Sequence, residues 1–192
     1  MTCIVGIKQG GMIWIGGDSL GSADDTAVVR ANPKVARLGP MIVGWCGSAR
    51  VSQVLFYGMG IPPFDKDFGA MNYLIQVFVP ALRDALSEHG VNIKDGEMDS
   101  ALLVGLSHRL FEIDADFSVN EFDGDYLAMG SGEQVANGAL FATRWLNMSP
   151  KARIELALYA AEHHTRSVRG PFTTISSDIL GKFSIQKEDS RV

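Results

Sequence analysis

Cysteine is scarce in this chain. Only Cys3 and Cys46 occur in 192 residues. That is too few for the disulfide framework of a small secreted domain, and a reducing cytosol is the natural expectation. Positive charge is also in short supply. Lys and Arg number 17 against 22 Asp and Glu, for a formal net charge of -5. A broad nucleic-acid footprint needs a basic surface, so that class is set aside. Long apolar runs are missing too. No stretch reaches the ~20 apolar residues of a membrane-spanning helix. The N-terminus lacks the basic segment and uninterrupted apolar run of a secretory signal. The expectation is a cytoplasmic protein. With no repeat, low-complexity segment or composition shift, residues 1–192 read as a single domain, long enough to bury a real core.

Several chemical motifs are absent as well. In "GSGEQVANG" the third glycine of a dinucleotide fingerprint falls at Val135, and no Lys-Ser/Thr pair follows for a nucleoside triphosphate loop. "DAD" at 114–116 lacks the downstream glycine and glutamate of a calcium loop. His163 and His164 are adjacent at a helix end, where they point in different directions and suit a solvated, cation-favouring C-terminus better than a metal pair. Ser19, Ser48 and Ser131 have no G-x-S-x-G context, so a serine-hydrolase elbow is not expected. No cofactor and no metal are expected.

What is present is a regular alternation of element types. "TCIVGIK" and "GMIWIGGDS" form a hairpin signal around a glycine turn. "GSADDTAVVRANP" reads as polar and turn-rich. "KVARLG" and "MIVGWCGS" predict a second hairpin turning at Gly39-Pro40. "ARVSQVLFYGMG" has helical spacing, and "IPPF" breaks it. Residues 65–90 read as one long amphipathic helix kinked at Pro80. Strands are expected within 100–122, in "DYLAMGSG", "PFTTIS" and "KFSIQK". Helices are expected at "EQVANGALFATRWLN" and "SPKARIELALYAAEHH", the second with Ser149 as N-cap and Pro150 in first position. The order predicts α+β layers, helices outside antiparallel sheets.

The tip of the chain carries the chemistry. A threonine hydroxyl needs a base, and the nearest one for Thr2 is its own α-amino group once Met1 is gone. That amine has an ordinary pKa of roughly 7.7–8.0, suited to general-base work near neutrality. Threonine paired with its own N-terminal amine is a known nucleophile–base unit. It needs a nearby cation to depress the amine and an anion to hold that cation. Asp18 lies 16 residues and Lys34 lies 32 residues after Thr2. Taken singly, each candidate has a plainer role. Asp18 suits a Gly-Asp-Ser turn, Lys34 a solvated strand start, Gly47 a turn, and Ser131 a helix N-cap.

Together, Thr2, Gly17-Asp18, Lys34, "VGWCGSA" with Gly47, "RLFEID" and the Gly-Ser-Gly at 130–132 occur in the order and spacing of a known family. The chain resembles the proteasome-type N-terminal nucleophile hydrolases, nearest to the bacterial HslV-type threonine peptidases, over roughly residues 2–160. The resemblance implies a four-layer αββα sandwich. It implies Thr2 as nucleophile, its freed amine as base, Lys34 as the charge beside it and Asp18 as the partner of Lys34. It further implies the Gly47 N–H as oxyanion donor and Ser131 as a hydrogen-bond partner near the amine. It implies a ring assembly acting on peptides or unfolded proteins, with any ATPase unfoldase a separate partner. The pocket wall would come from residues near 20–22, 31 and 45–49, where Ala31 and Trp45 point to an apolar preference. Two other readings stand beside it: an amidohydrolase acting on a small amide through Thr2 or Cys3, and a catalytically silent proteasome-like assembly protein. Cys3 should face away from Thr2 as a small core residue, and Cys46 should likewise be buried. After the last helix, "HHTRSVRGPFTTISSD" lacks the supporting aspartate and serine that the family pattern predicts there.

Overall fold

The computed structural model describes residues 1–23 and 26–177. The chain begins with the expected hairpin, β1 (Ile4–Gln9) and β2 (Met12–Gly17), turning at Gly10-Gly11. A further hairpin follows, β3 (Leu20–Ala23) with β4 (Thr26–Val29). The polar, turn-rich pattern of residues 21–33 predicts turns there instead. Its strand-forming residues, Leu20, Val28 and Val29, are interrupted by Gly, Ser and Asp, whose turn chemistry dominates the pattern. Next come β5 (Val35–Leu38) and β6 (Met41–Gly47), joined at Gly39-Pro40 as expected.

The helices of the first half are less regular than their spacing predicts. α1 (Ala49–Gln53) runs into a π-helical turn at Val54–Gly58. The long helix begins at Ala70 rather than Asp65, because Asp65 caps its own loop by accepting from the Asp67 N–H at 2.9 Å. It comprises α2 (Ala70–Tyr73), a π-helical turn at Leu74–Phe78 and α3 (Val79–Glu88). The disturbance expected at Pro80 is thus absorbed one turn earlier, where wider winding accommodates the missing N–H. The strands β7 (Ser100–Leu106), β8 (Arg109–Ile113), β9 (Val119–Phe122) and β10 (Tyr126–Met129) follow. Then come α4 (Glu133–Thr143), α5 (Pro150–His164) and β11 (Thr173–Ser176). Ser149 caps α5, its hydroxyl accepting from the Ala152 N–H at 3.2 Å. The strand expected in "KFSIQK" lies outside the described residues.

The strands build two main antiparallel sheets, ordered β10-β1-β2-β11 and β5-β6-β7-β8-β9. Alternation along each strand splits the core into three slabs. Ile4, Ile13 and Ile15 from the first sheet meet Ile42, Leu103 and Leu110 from the second between the sheets. Val43, Leu102, Val104 and Phe111 on the other face of the second sheet pack under α1–α3, with Tyr73, Leu74, Phe78 and Leu82. Cys3, Val5 and Ile7 pack under α4 and α5, with Leu140, Ile154 and Leu158. The result is the αββα layering that the family resemblance implies, with helices outside antiparallel sheets as the element order predicts. It places Thr2 at the entrance to β1, where the inter-sheet layer ends.

Candidate active site

Three strand ends converge on Thr2. The β1–β2 register sets Ile4 opposite Gly17, so Asp18 falls beside Cys3 and Thr2. The β1–β10 register sets Ile4 opposite Met129, so the turn at Gly130-Ser131-Gly132 falls on the other side. Lys34 stands just before β5, one strand from β6. These pairings bring residues 2, 18, 34 and 131 together although up to 129 positions separate them.

Lys34 is the hub. Its Nζ donates to Thr2 Oγ1 at 3.0 Å and to Asp18 Oδ1 at 2.9 Å. Thr2 is 3% exposed, Asp18 1% and Lys34 5%. Asp18 is fixed by the backbone around it. Its Oδ1 accepts from the Cys3 N–H at 3.0 Å, and its Oδ2 from the Leu20 N–H at 3.0 Å and the Arg169 N–H at 3.4 Å. Burial pushes the Lys34 ammonium below its ordinary value, and the Asp18 carboxylate opposes that shift. The turn reading of Asp18 holds only in part, since it bonds Leu20 locally while its other oxygen serves the buried lysine. The solvated reading of Lys34 does not hold.

Ser131 bonds Thr2 twice. Its Oγ accepts from the Thr2 N–H at 3.0 Å and donates to the Thr2 carbonyl at 3.2 Å. It is not the cap of α4, whose N-cap position is Gly132. Gly130 must be glycine for this contact. Its φ is +91°, and a Cβ there would stand 2.6 Å from the Thr2 carbonyl oxygen. Gly47 closes β6 with φ +112°, and a Cβ would lie 2.3 Å from the Asp99 carbonyl oxygen. Cys46 reaches the same turn, its Cβ lying 3.5 Å from the Cβ position of Gly130, so the end of β6 flanks Thr2.

Met1 occupies the mouth of the site. Its carbonyl accepts from Lys34 Nζ at 3.2 Å and from the Thr2 hydroxyl. In this form of the chain the Thr2 nitrogen is an amide.

Cys3 is fully buried on the α4–α5 side, and burial, then Asp18, push its thiol up to about 12. It is a core residue. Cys46 is half-buried rather than buried, its Sγ 3.6 Å from the Ala101 carbonyl. Trp45 packs into the slab under α1–α3, while Ala31 is exposed. His163 and His164 are exposed at the end of α5, and no group of three or more metal-ligating side chains occurs among the described residues. One support was not anticipated. The loop after α5 reaches Asp18 through the Arg169 N–H, and it pairs with Ser19, whose N–H donates to the Arg169 carbonyl at 2.9 Å. Backbone donors leave no residue signature, so nothing in the sequence could have shown it.

Comparison with known proteins agrees with the fold described above. The chain is 28% identical over 160 residues to the ATP-dependent protease subunit HslV of Roseobacter denitrificans, covering 81% of this chain and 80% of that one. The solved structure of Thiobacillus denitrificans BPH superposes with a TM-score of 0.78 at 25% identity, over 91% of this chain and 97% of that one. The fold is that of the proteasome-type N-terminal nucleophile hydrolases. BPH in complex with epoxomicin gives a TM-score of 0.80 at 23% identity over 91% and 97% of the two chains. HslV from Trypanosoma brucei gives 0.65 at 18% identity over 91% and 98%. The resemblance of the chain is to the HslV type of this fold. A scan against models of protein families finds no match. No helix among the described residues is long and apolar enough to cross a membrane.

Proposed function

We propose that the chain is a threonine peptidase whose nucleophile is Thr2 Oγ1. The observation that carries this reading is Lys34 Nζ, held at 3.0 Å from Thr2 Oγ1 and 2.9 Å from Asp18 Oδ1 with all three side chains out of solvent. Loss of Met1 frees the Thr2 amine beside Ser131 Oγ. The positive charge of Lys34 lowers the proton affinity of that amine. The amine, directly or through a water, takes the hydroxyl proton as Oγ1 attacks the scissile carbonyl carbon. The tetrahedral oxyanion is stabilised by the Gly47 N–H. Collapse of that intermediate breaks the C–N bond, the proton passes to the leaving amine, and an ester remains on Thr2. Water, deprotonated by the Thr2 amine, hydrolyses the ester and restores the hydroxyl.

Asp18 and Ser131 act as positioning residues in this scheme: the first holds Lys34, the second the Thr2 nitrogen. The similarity to an ATP-dependent protease subunit supports an oligomeric ring fed with unfolded polypeptide by a separate ATPase. Substitution Thr2→Ala tests the assignment. Peptide hydrolysis should vanish while the circular dichroism spectrum and Tm stay near those of the parent. Turnover near the parental rate would refute Thr2 as nucleophile.

A further inference from the structure

At the opposite end of α4 from Thr2 lies a cavity of about 680 Å³. It opens between the loop joining β9 to β10 and the start of the α4–α5 connection. Arg144, Trp145, Arg153, Tyr126, Asn137 and Asp125 are among its lining residues. Thr2 and its partners do not line it.

Arg153 is the anomaly. It is a cation in the first turns of α5, yet only 6% exposed. Its Nη2 donates to the Leu140 carbonyl at 3.1 Å, while its buried Nε has no hydrogen-bond partner. No carboxylate lies within ion-pair distance of it among the described residues. The Tyr126 ring centre lies 5.9 Å from the guanidinium carbon. A buried charge with neither counter-ion nor a full set of acceptors is costly unless something supplies them. Arg144 brings a second guanidinium to the same cavity, 3.7 Å from the Trp145 ring centre and 4.8 Å from that of Phe141. Trp145 is 72% exposed, its ring lying against the Arg144 guanidinium and edge-on to Phe141 at 5.9 Å. The Asn137 amide is not free to compete, because it is engaged with the Ala128 backbone. Asp125 sits on the lining as a single opposing carboxylate.

We propose that this cavity binds an oxyanion, a carboxylate or phosphate group, held by the Arg153 and Arg144 guanidiniums beside the Trp145 and Tyr126 rings. Guanidinium forks match the planar two-oxygen edge of such groups. The volume exceeds that of a bare inorganic anion and suits a ligand with an apolar body.

The test is thermal unfolding and tryptophan fluorescence of the full chain, titrated with sodium benzoate or inorganic phosphate at constant ionic strength balanced by chloride. The wild type should show a saturable rise in Tm of a few degrees and a saturable change in fluorescence. Both should be lost in Arg153→Gln and in Arg144→Ala. The exposed Arg144 keeps the test decisive if Arg153→Gln fails to fold. A stronger response to benzoate assigns a carboxylate with an aromatic body, and a stronger response to phosphate assigns a phosphate ligand. No saturable response of the wild type to either anion, or an unchanged response in Arg144→Ala, would overturn the proposal.

Discussion

Asp18 and Lys34 form a 2.9 Å ion pair whose side chains are 0% and 6% exposed, and the lysine end of that pair is what touches Thr2. A pair so placed is costly to assemble and costly to break from one side. Asp18 keeps three backbone N–H partners without Lys34, from Cys3, Leu20 and Arg169. Lys34 has no comparable alternative among the described residues: beyond Asp18, its Nζ reaches Thr2 Oγ1 and the Met1 carbonyl.

That asymmetry sets the first prediction. Asp18→Asn leaves a buried lysine without its counter-charge and should destabilise the fold by about 3–5 kcal/mol. Lys34→Ala should cost less, about 3 kcal/mol at most, because the remaining carboxylate is still hydrogen-bonded. Both should cut peptide hydrolysis by about 10²-fold or more. Urea unfolding and kcat/KM on the two single variants check this. Equal stability losses would argue against the asymmetry.

Ser131→Ala should separate activity from stability. Ser131 is exposed, and among the described residues its hydroxyl bonds only Thr2. Its loss should cost about 0.5–1.5 kcal/mol but reduce kcat roughly tenfold or more by freeing the Thr2 nitrogen. Parental kcat in this variant would leave Ser131 without a positioning role.

Gly47→Ala should be severe for a steric reason. The new Cβ would meet the Asp99 carbonyl oxygen at 2.3 Å and Ser100 Cα at 2.6 Å in a φ +112° backbone. The expected cost is ~3 kcal/mol or more, read as a Tm drop. A neutral variant would show that the end of β6 shifts freely, which the close packing against Asp99 and Ser100 contradicts.

The pH dependence follows from Lys34. Burial holds its folded-state value below 10.5. The mechanism needs the charged form, so kcat/KM should fall as pH rises through that lowered value. The alkaline limb therefore lies below 10.5. Linkage has a fixed sign here. Between the folded value and 10.5 the unfolded chain holds more protons at this site, so its contribution to stability grows as pH rises and is lost as pH falls through the folded value. A rate that stays flat to pH 10.5 would contradict a charge role for Lys34.

The layers were largely legible in the sequence because their signals are local. Glycine turns at 10–11 and 39–40 mark the hairpins, and strand alternation separates Val43 under the helices from Ile42 between the sheets. The β3–β4 hairpin was hidden by its own turn-forming residues. The π-helical turns were hidden because Val54–Phe56 and Leu74–Phe78 are apolar at nearly every position, so a shift of helical phase leaves no mark on the pattern. The positions of Thr2, Asp18, Lys34, Gly47 and Ser131 could be named from spacing and family resemblance. That Ser131 holds both the nitrogen and the carbonyl of Thr2 required the β1–β10 register. Arg153 gave no warning because one arginine among Ile154, Ala157 and Leu158 reads as the polar edge of α5.

The most direct test of the account is intact mass of the purified protein before and after incubation with epoxomicin. The account predicts a chain that has lost Met1 and gains a single inhibitor adduct, which Thr2→Ala does not form. A chain that keeps Met1 and takes up no adduct would contradict it, and would favour a catalytically silent assembly protein built on the same fold.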